Sequence, residues 1–498
     1  MSSAALPALR RARFTLPRPL APFLRTELLA GLLVALALIP EAIAFSIIAG
    51  VDPRVGLFAS FVMACSIAFL GGRPAMISAA TGAMALVAAP LVASHGVDYL
   101  IAATVLAGLI QVVLAFTGVA KLMRFIPRSV LTGFINALAI LIFMAQIPHF
   151  WGASWVVWAL IGAGLAVIWG LPLVFKAVPS PLVAIVALTA ATVAFGIAVP
   201  NVGDMGELPS GLPFLALPDV PFDLDTLSVI APYAIGLAAV GLLESLMTAK
   251  VVDDATDTRS NKTREAAGQG IGNVLVGFFG GMAGCAMIGQ TMINVKSGAR
   301  SRLSTFSAGF FLLILIVVLG GVVAQIPMAA LVAVMVFVSA VTFDWHSVRP
   351  RTLKKMPVSE TIVMITTVAA TVATHNLAIG VGAGVIVAMV AFARRVAHVV
   401  EVTSVTDPEG GSVIYAVTGQ LFFASSNDLV HCFDYDGDPG KVVIDLSDAR
   451  VWDASTVSAL DAIEAKYHAR GKTVEIVGLD HRSAELHGEL TGTLSGGH

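Results

Sequence analysis

Residues 69–82 read FLGGRPAMISAATG, and residues 278–289 read FFGGMAGCAMIG. Each stretch runs from a Gly-Gly pair into a short segment of small residues inside a long apolar region. Glu41 precedes the first stretch and Glu244 precedes the second, each a lone acid deep in an apolar helix. Two matching halves that each contain an interrupted segment indicate a secondary transporter built from an inverted repeat.

The composition of the whole chain points to a membrane protein. Of its 498 residues 57% are hydrophobic and 12% are charged, whereas soluble proteins carry about 25% charged residues. The composition therefore excludes an ordinary cytosolic enzyme, and the formal net charge of −2 gives no case for a nucleic-acid partner. Cys65, Cys285 and Cys432 form no metal-ligand spacing, so no metal or cofactor is expected.

Fourteen apolar segments predict membrane helices, since a helix needs about 20 residues to cross the bilayer. They cover residues 27–50, 55–70, 77–94, 98–119, 128–150, 153–175, 180–199, 228–250, 264–280, 285–296, 303–324, 327–345, 358–374 and 377–399. The third and tenth segments are short and rich in Gly, Ser and Thr. Residues 27–199 and 228–399 form the two repeats of a transport domain over 27–399. Because each repeat has seven segments, the second enters the membrane upside down relative to the first.

Lysine and arginine residues collect in alternate loops, and Arg54 is the single basic residue of the outer loops. The positive-inside rule therefore predicts a plasma (inner) membrane protein with both ends of the chain in the cytoplasm. Residues 1–26 contain five arginines and no apolar stretch with a cleavage site. They predict a cytoplasmic arm and not a signal peptide.

The chain changes character after Glu401. Strand patterns and one helical pattern follow, at Val413–Leu421, Lys441–Leu446, Ser455–Arg470 (helical) and Thr473–Val477. These elements predict a small cytoplasmic α/β domain over residues 400–498.

The two short segments suggest how a ligand is bound. If Ser78–Gly82 and Cys285–Gly289 each begin a half-helix at mid-membrane, their unpaired N–H groups point into a cavity. Two such helix N-termini make a partly positive site without a charged side chain. The site should take a small anion or a polar molecule with acceptor oxygens. The alternative is that these small residues only permit close helix packing.

The two acids are candidates for proton or cation coupling. An ionised carboxylate in hydrocarbon is costly, so each must face a cavity, be protonated or be paired. For Glu41 the functional interpretation is a proton site, so that proton and anion bind together. Glu244 is either a second cation ligand, with Thr248 one turn further on, or a structural partner of the backbone.

Several motifs carry a family resemblance. Ile39–Gly56 (IPEAIAFSIIAGVDPRVG) resembles the first-helix signature of the sulfate permease (SulP) family, which includes prestin and pendrin. Asn261–Asn273 (NKTREAAGQGIGN) and Ser297–Ser301 are similar to its ninth to eleventh segments. Asp445–Ser447 and Asp453–Thr456 resemble the strand-to-helix turn of the family's STAS domain.

The resemblance implies an all-α polytopic membrane domain of 7+7 inverted repeats, divided into a core and a gate, with a STAS domain after it. It also implies a homodimer and an anion site between the third and tenth helices. Carried onto this sequence, the substrate and coupling residues are Glu41, Ala79, Ala80, Thr81, Gly82, Glu244, Cys285, Ala286, Met287 and Ile288. Ser455 matches a position that is phosphorylated in antisigma-antagonist relatives of STAS domains.

Two departures from the family pattern refine the function. Many members have Gln at the position of Glu41, and animal exchangers have an Arg near the tenth-helix site, where Cys285–Thr291 contains no basic residue. Both differences favour proton-coupled symport of a small anion, with carboxylates and dicarboxylates preferred and bicarbonate or sulfate next. The alternatives are sodium coupling, an exchanger or channel of the same fold, a nucleobase–proton symporter, and a membrane sensor whose STAS domain signals to a cytoplasmic protein partner.

Overall fold

The computed structural model describes residues 20–118, 126–174, 179–209, 211–215, 217–221, 223–397, 400–407 and 411–492. The chain forms two compact units, Met1–Gly384 and Val385–His498. The predicted limits of the arm, the transport domain and the STAS domain stay predictions.

The first unit is a bundle of apolar helices that two short strands interrupt. The first half contains α1 (Leu20–Ala49), α2 (Pro53–Leu70), β1 (Ser78–Ala80), α3 (Gly82–His95), α4 (Val97–Phe116), α5 (Arg128–Phe150), α6 (Trp155–Val174) and α7 (Ser180–Ala194). The second half contains α8 (Leu224–Thr256), α9 (Lys262–Phe278), β2 (Gly284–Ala286), α10 (Ile288–Lys296), α11 (Arg302–Ala324), α12 (Met328–Thr342), α13 (Pro350–Lys355), α14 (Val358–Thr374) and α15 (Leu377–Ala397), which crosses the division between the units.

The predicted polytopic fold class is confirmed. Within the described residues, eight helices are long and apolar enough to cross a membrane, and four shorter helices are also apolar. Each of the fourteen predicted segments coincides with a helix or with a strand and the helix after it. Some ends differ from the prediction: α1 begins at Leu20, so residues 20–26 of the predicted arm are helical, and α8 extends to Thr256. The rest of that arm, residues 1–19, lies outside the described residues.

The helices of the first unit pack in two groups, which correspond to the expected core and gate. In the core, α1–α4 contact α8–α11, and in the gate, α5–α7 contact α12 and α14. Backbones approach closely where glycines face each other: a Cβ on Gly108 or on Gly270 would lie 2.6 Å from the other residue's carbonyl oxygen. Small residues at helix crossings permit this contact in membranes.

A buried acid joins the start of α1 to the start of α11. The Glu27 carboxylate accepts hydrogen bonds from the backbone N–H groups of Arg300 (2.8 Å), Ser301 (3.1 Å) and Ser304 (3.2 Å). The first N–H groups of a helix have no partner within the helix and favour negative charge. Glu27 therefore fixes one end of the core.

The second unit contains a four-stranded sheet in the order β3 (Glu401–Thr406), β4 (Ser412–Leu421), β5 (Lys441–Val451) and β6 (Thr473–Val477). β3 is antiparallel to β4, and β4, β5 and β6 are parallel. The helices are α16 (Phe423–Val430), α17 (Ala454–His468) and α18 (His481–Leu490). The three predicted strands and the predicted helix are present. β3 was not predicted because its side chains are almost all exposed and show no alternation.

Candidate functional site

The two interrupted segments meet as a two-stranded antiparallel sheet in the core of the first unit. Ala79 of β1 lies opposite Cys285 of β2. The sequence-based expectation that half-helices begin at residues 78 and 285 is therefore wrong, because three residues of each segment are extended and pair with each other. The helices begin later, α3 at Gly82 and α10 at Ile288.

Two serine side chains accept hydrogen bonds from backbone N–H groups on the outer edges of this sheet. The Ala80 N–H donates to Oγ of Ser60 on α2 (3.2 Å), and the Ala286 N–H donates to Oγ of Ser245 on α8 (3.0 Å). At membrane depth no water is available for free backbone groups, so each needs a protein partner. Two serines on buried helix faces thus act as substitutes for further strands.

Asn273 of α9 pairs with β2 in the manner of a neighbouring strand. Its Oδ1 accepts from the Gly284 N–H (2.8 Å), and its Nδ2 donates to the Gly284 carbonyl oxygen (3.0 Å). Nδ2 also donates to Oε1 of Gln111 on α4 (2.9 Å). Both main-chain groups of Gly284 are therefore satisfied by a single side chain.

The half-helices that follow the strands differ at their N-termini. Oγ1 of Thr81 caps α3 by accepting from the Met84 N–H (3.3 Å). No side-chain cap hydrogen bond is present at Met287, the residue before α10. A Cβ placed on Gly289 would meet no atom within 4 Å. The N-terminus of α10 therefore faces open space, and its N–H groups are available to an acceptor.

A cavity of about 740 Å³ lies between the core and gate helices of the first unit. The predicted site residues that line it are Glu41, Thr81, Gly82, Glu244, Met287 and Ile288. Ala79, Ala80, Cys285 and Ala286 do not line it, because they are buried in the strand pair behind its wall. The gate contributes mainly apolar side chains, among them Phe134, Leu138, Ile142 and Val338.

Each acid in the cavity faces the half-helix region of the opposite repeat. Glu41, on α1 of the first repeat, faces the side chain of Gln290 of α10. Glu244, on α8 of the second repeat, faces Thr81, the cap of α3. This crossed arrangement is what a two-fold relation between the repeats would produce.

Cys285 reinforces the bridge at Glu244. Its Sγ donates to Oε2 of Glu244 at 2.9 Å and lies 3.1 Å from Oγ1 of Thr81. The thiol therefore connects a helix cap of one repeat to an acid of the other. Cys285 supports the site from behind, while Thr81 and Glu244 reach the cavity.

Sequence reasoning overlooked the residues that hold the strands. Ser60 and Ser245 were not singled out, and Asn273 was noted as the last residue of a family motif. The signal was available: each is a polar residue on a buried helix face, completely shielded from solvent. What the sequence does not show is the backbone group that each one meets.

Ser455 of the second unit is exposed in the first turn of α17. That helix is capped by Asp453, whose Oδ1 accepts from the Thr456 N–H (3.1 Å). A helix N-terminus favours added negative charge. The position is thus accessible to a modifying enzyme and compatible with a phosphate.

Family models match most of the chain. The sulfate permease family model matches residues 24–159 and 154–367, and the STAS domain model matches residues 387–493. YbaR of Bacillus subtilis (strain 168), whose name marks it as a candidate sulfate transporter, is 54% identical over 95% of this chain and 98% of its own length. The bicarbonate transporter BicA of Picosynechococcus is 26% identical over 91% of this chain and 88% of its own length.

Solved structures agree with these relatives. The transmembrane domain of a cyanobacterial bicarbonate transporter BicA is 28% identical and covers 73% of this chain and 97% of its own, with a TM-score of 0.64. Murine Solute Carrier 26 family member A9, an anion transporter, shares the fold with a TM-score of 0.80 at 16% identity, over 95% of this chain and 88% of its own. The protein is an integral membrane anion transporter, and it belongs to the sulfate permease family with a carboxyl-terminal STAS domain.

Proposed function

We propose that this transporter moves a small anion together with a proton by alternating access, with Glu41 as the proton site and Glu244 as a second coupling group. Carboxylates and dicarboxylates are the preferred substrates, and bicarbonate or sulfate come next. The observation that best supports the proposal is that Glu41 and both half-helix N-termini face the same cavity.

The coupling has a simple electrostatic origin. An ionised Glu41 repels an anion held at the half-helices, and a protonated Glu41 does not. At about 6 Å and an effective dielectric constant of about 20, two unit charges repel by about 3 kcal/mol, or about a hundredfold in affinity. Because linkage is reciprocal, the anion then favours the proton as much as the proton favours the anion.

The surroundings of Glu41 are consistent with a group that changes protonation. Gln290 can donate to a carboxylate through its NH₂ or accept from a carboxylic acid through its carbonyl oxygen, so it suits both forms. Glu244 and Lys296 are the other charged side chains that line the cavity. Glu244 already accepts a hydrogen bond from Cys285, which makes Glu41 the more available of the two acids.

The walls of the cavity support organic anions as substrates. Phe45 and Leu36 on the core side, and Phe134 and Leu138 on the gate side, offer apolar surface next to the half-helices. A carboxylate places its oxygens on backbone N–H groups and its hydrocarbon part against such walls. Bicarbonate and sulfate are named for the relatives BicA and YbaR, and both fit the acceptor-oxygen chemistry.

We further propose that both ends of the chain and the STAS domain lie on the cytoplasmic side of the inner membrane, and that the protein is a homodimer. The distribution of lysine and arginine supports the orientation. A cytoplasmic protein partner of the STAS domain, and phosphorylation of Ser455, belong to the same proposal and are supported by the exposure of that residue.

The test is uptake into proteoliposomes with an inside-alkaline pH gradient. Labelled fumarate, succinate, bicarbonate, sulfate and chloride are compared for wild type, Glu41→Gln and the control Glu207→Gln, which removes a carboxylate from an exposed loop. One proton per anion allows about tenfold accumulation per pH unit, because a pH unit is worth about 1.4 kcal/mol. We expect this accumulation for wild type and for Glu207→Gln, and none for Glu41→Gln.

Three results would contradict the proposal. Uptake that is independent of the pH gradient but follows a sodium gradient would indicate sodium coupling, with Glu244 as the candidate cation ligand. Equal pH dependence in wild type and Glu41→Gln would remove Glu41 as the proton site. Current without coupled proton movement would indicate a channel.

A further inference from the structure

We infer that Lys296 raises the electrostatic potential inside the cavity and so increases its preference for doubly charged over singly charged anions. The inference rests on the proposed anion site at the half-helices, but not on proton coupling. Lys296 is therefore a specificity-determining residue that acts at a distance, through charge and not through contact.

Lys296 is placed on the half-helix that bounds the site. It lies in the last turn of α10, its side chain is exposed, and it lines the cavity. Gly289, in the first turn of the same helix, lines the cavity too. One short helix thus presents its positive N-terminus and a full positive charge to the same cavity.

In the described part of the chain, the Lys296 ammonium group makes no ion pair and no side-chain hydrogen bond, whereas two other cations of the first unit are engaged. Arg73 and Lys262 both pair with Asp253, at 3.1 and 2.9 Å. Because its charge is not neutralised locally, Lys296 contributes its field to the cavity.

The geometry gives the size of the effect. Lys296 follows Gly289 by seven residues, which at about 1.5 Å per residue is about 10 Å along the helix. Between effective dielectric constants of about 80 and about 20, a unit charge at that distance changes the local concentration of a monoanion by about twofold to fifteenfold. The factor is squared for a dianion, and it shrinks at 0.15 M salt, where the Debye length is about 8 Å.

A plainer role for Lys296 predicts something different. A lysine at the end of a helix also interacts favourably with the helix dipole and marks a cytoplasmic loop. In that case its removal would leave the potential at the N-terminus of α10 unchanged. The two roles are separated by a measurement of potential at Gly289.

The experiment uses a cysteine as a local probe of charge. Gly289→Cys is made in the full chain with Cys65→Ala and Cys432→Ser, and a Cβ at Gly289 meets no atom within 4 Å. The buried thiol of Cys285 is kept. Its background reaction rate is measured in the same protein without Gly289→Cys and is subtracted. Reaction rates with anionic 2-sulfonatoethyl methanethiosulfonate and neutral methyl methanethiosulfonate are measured in proteoliposomes.

The anionic-to-neutral rate ratio reports the potential and does not depend on which anion is transported. We expect Lys296→Gln to lower the ratio by about twofold to fifteenfold at low ionic strength and much less at 0.15 M. Lys296→Arg should restore the ratio. Lys250→Gln, the matched control, removes a lysine that pairs with Asp254 outside the cavity and should not change it.

Either of two results overturns the inference. The first is a ratio that Lys296→Gln leaves unchanged, or that falls equally in Lys296→Gln and Lys250→Gln. The second is a Gly289→Cys thiol that does not react even with the neutral reagent, since the cavity would then not connect that position to water. Loss of pH-driven uptake with an intact ratio would count against the proposed proton coupling alone.

A transport readout links the potential to selectivity. At low ionic strength, Lys296→Gln should raise the KM for [³⁶Cl]chloride uptake by a certain factor. It should raise the KM for [³⁵S]sulfate uptake by the square of that factor. An equal rise for both anions would contradict a role in charge selectivity.

Discussion

Replacing Asn273 by alanine should damage both stability and anion binding. The side chain makes three hydrogen bonds, two with the main chain of Gly284 and one with Gln111. Alanine would leave the Gly284 N–H and carbonyl groups without partners in a site that water does not reach. The strand β2, which leads into the half-helix α10, would lose its outer support.

The magnitude follows from the number of bonds. Hydrogen bonds between membrane helices contribute about 0.6 kcal/mol on average and up to about 1.7, so three bonds correspond to about 2 kcal/mol. If the conformation with paired strands loses all of this free energy, its population falls. Because only that conformation binds the anion, the apparent anion affinity then drops by up to about thirtyfold.

The assay compares Asn273→Ala with a matched control in the gate. Asn136 is also a buried asparagine, which donates to Oγ of Ser347 (2.9 Å) and accepts from the Asp344 N–H (2.8 Å). Both variants should lower the free energy of unfolding in detergent titrations, but only Asn273→Ala should raise the KM for the transported anion. The reasoning is refuted if both variants change KM equally, or if Asn273→Ala unfolds like wild type.

Two further predictions concern glycines and a thiol. Gly284→Ala should abolish transport and lower the melting temperature, because the added Cβ would lie 2.6 Å from the Ala79 carbonyl oxygen. The added Cβ of Gly289→Ala meets no atom within 4 Å, so this variant should melt at or above the wild-type temperature. Fluorescence-detected size-exclusion chromatography after heating measures both melting temperatures, and equal values for the two variants would contradict the expectation. Burial, and then the Asp428 carboxylate, raise the pKa of the Cys432 thiol above its usual value. Its reaction with maleimide requires the thiolate, so the rate should be slow at pH 7 and rise about tenfold per pH unit through pH 9. Intact-mass spectrometry measures the labelling rate, and a rate that levels off below pH 9 would contradict this prediction.

Segment-level features were predictable from local sequence. The fourteen membrane segments follow from runs of apolar residues, and their bounds agree with the structure to within a few residues at most ends. Glu41 and Glu244 stand out because a carboxylate in an apolar helix requires a special environment. The second unit was partly predictable, since β5 contains the apolar run Val442–Ile444, while β3 has no pattern to detect.

The details of the site were not predictable in the same way. Ser78–Ala80 contains no strand signal, and its extended form depends on Gly284–Ala286, which lies about two hundred residues away. Glu41 and Glu244 also interact with one residue each of the opposite repeat, Gln290 and Thr81. No local pattern contains this information.

Three properties follow from local sequence alone: the protein spans a membrane, its halves repeat, and Glu41 and Glu244 lie within it. These properties depend on transfer of single helices from water to lipid, which is a local function of composition. Three other features arise from the packing of the whole fold: the short segments pair as strands, Asn273 completes their edge, and Lys296 faces the cavity. Those features depend on the need to satisfy every backbone group at membrane depth, and the packing of distant helices determines which side chains do so.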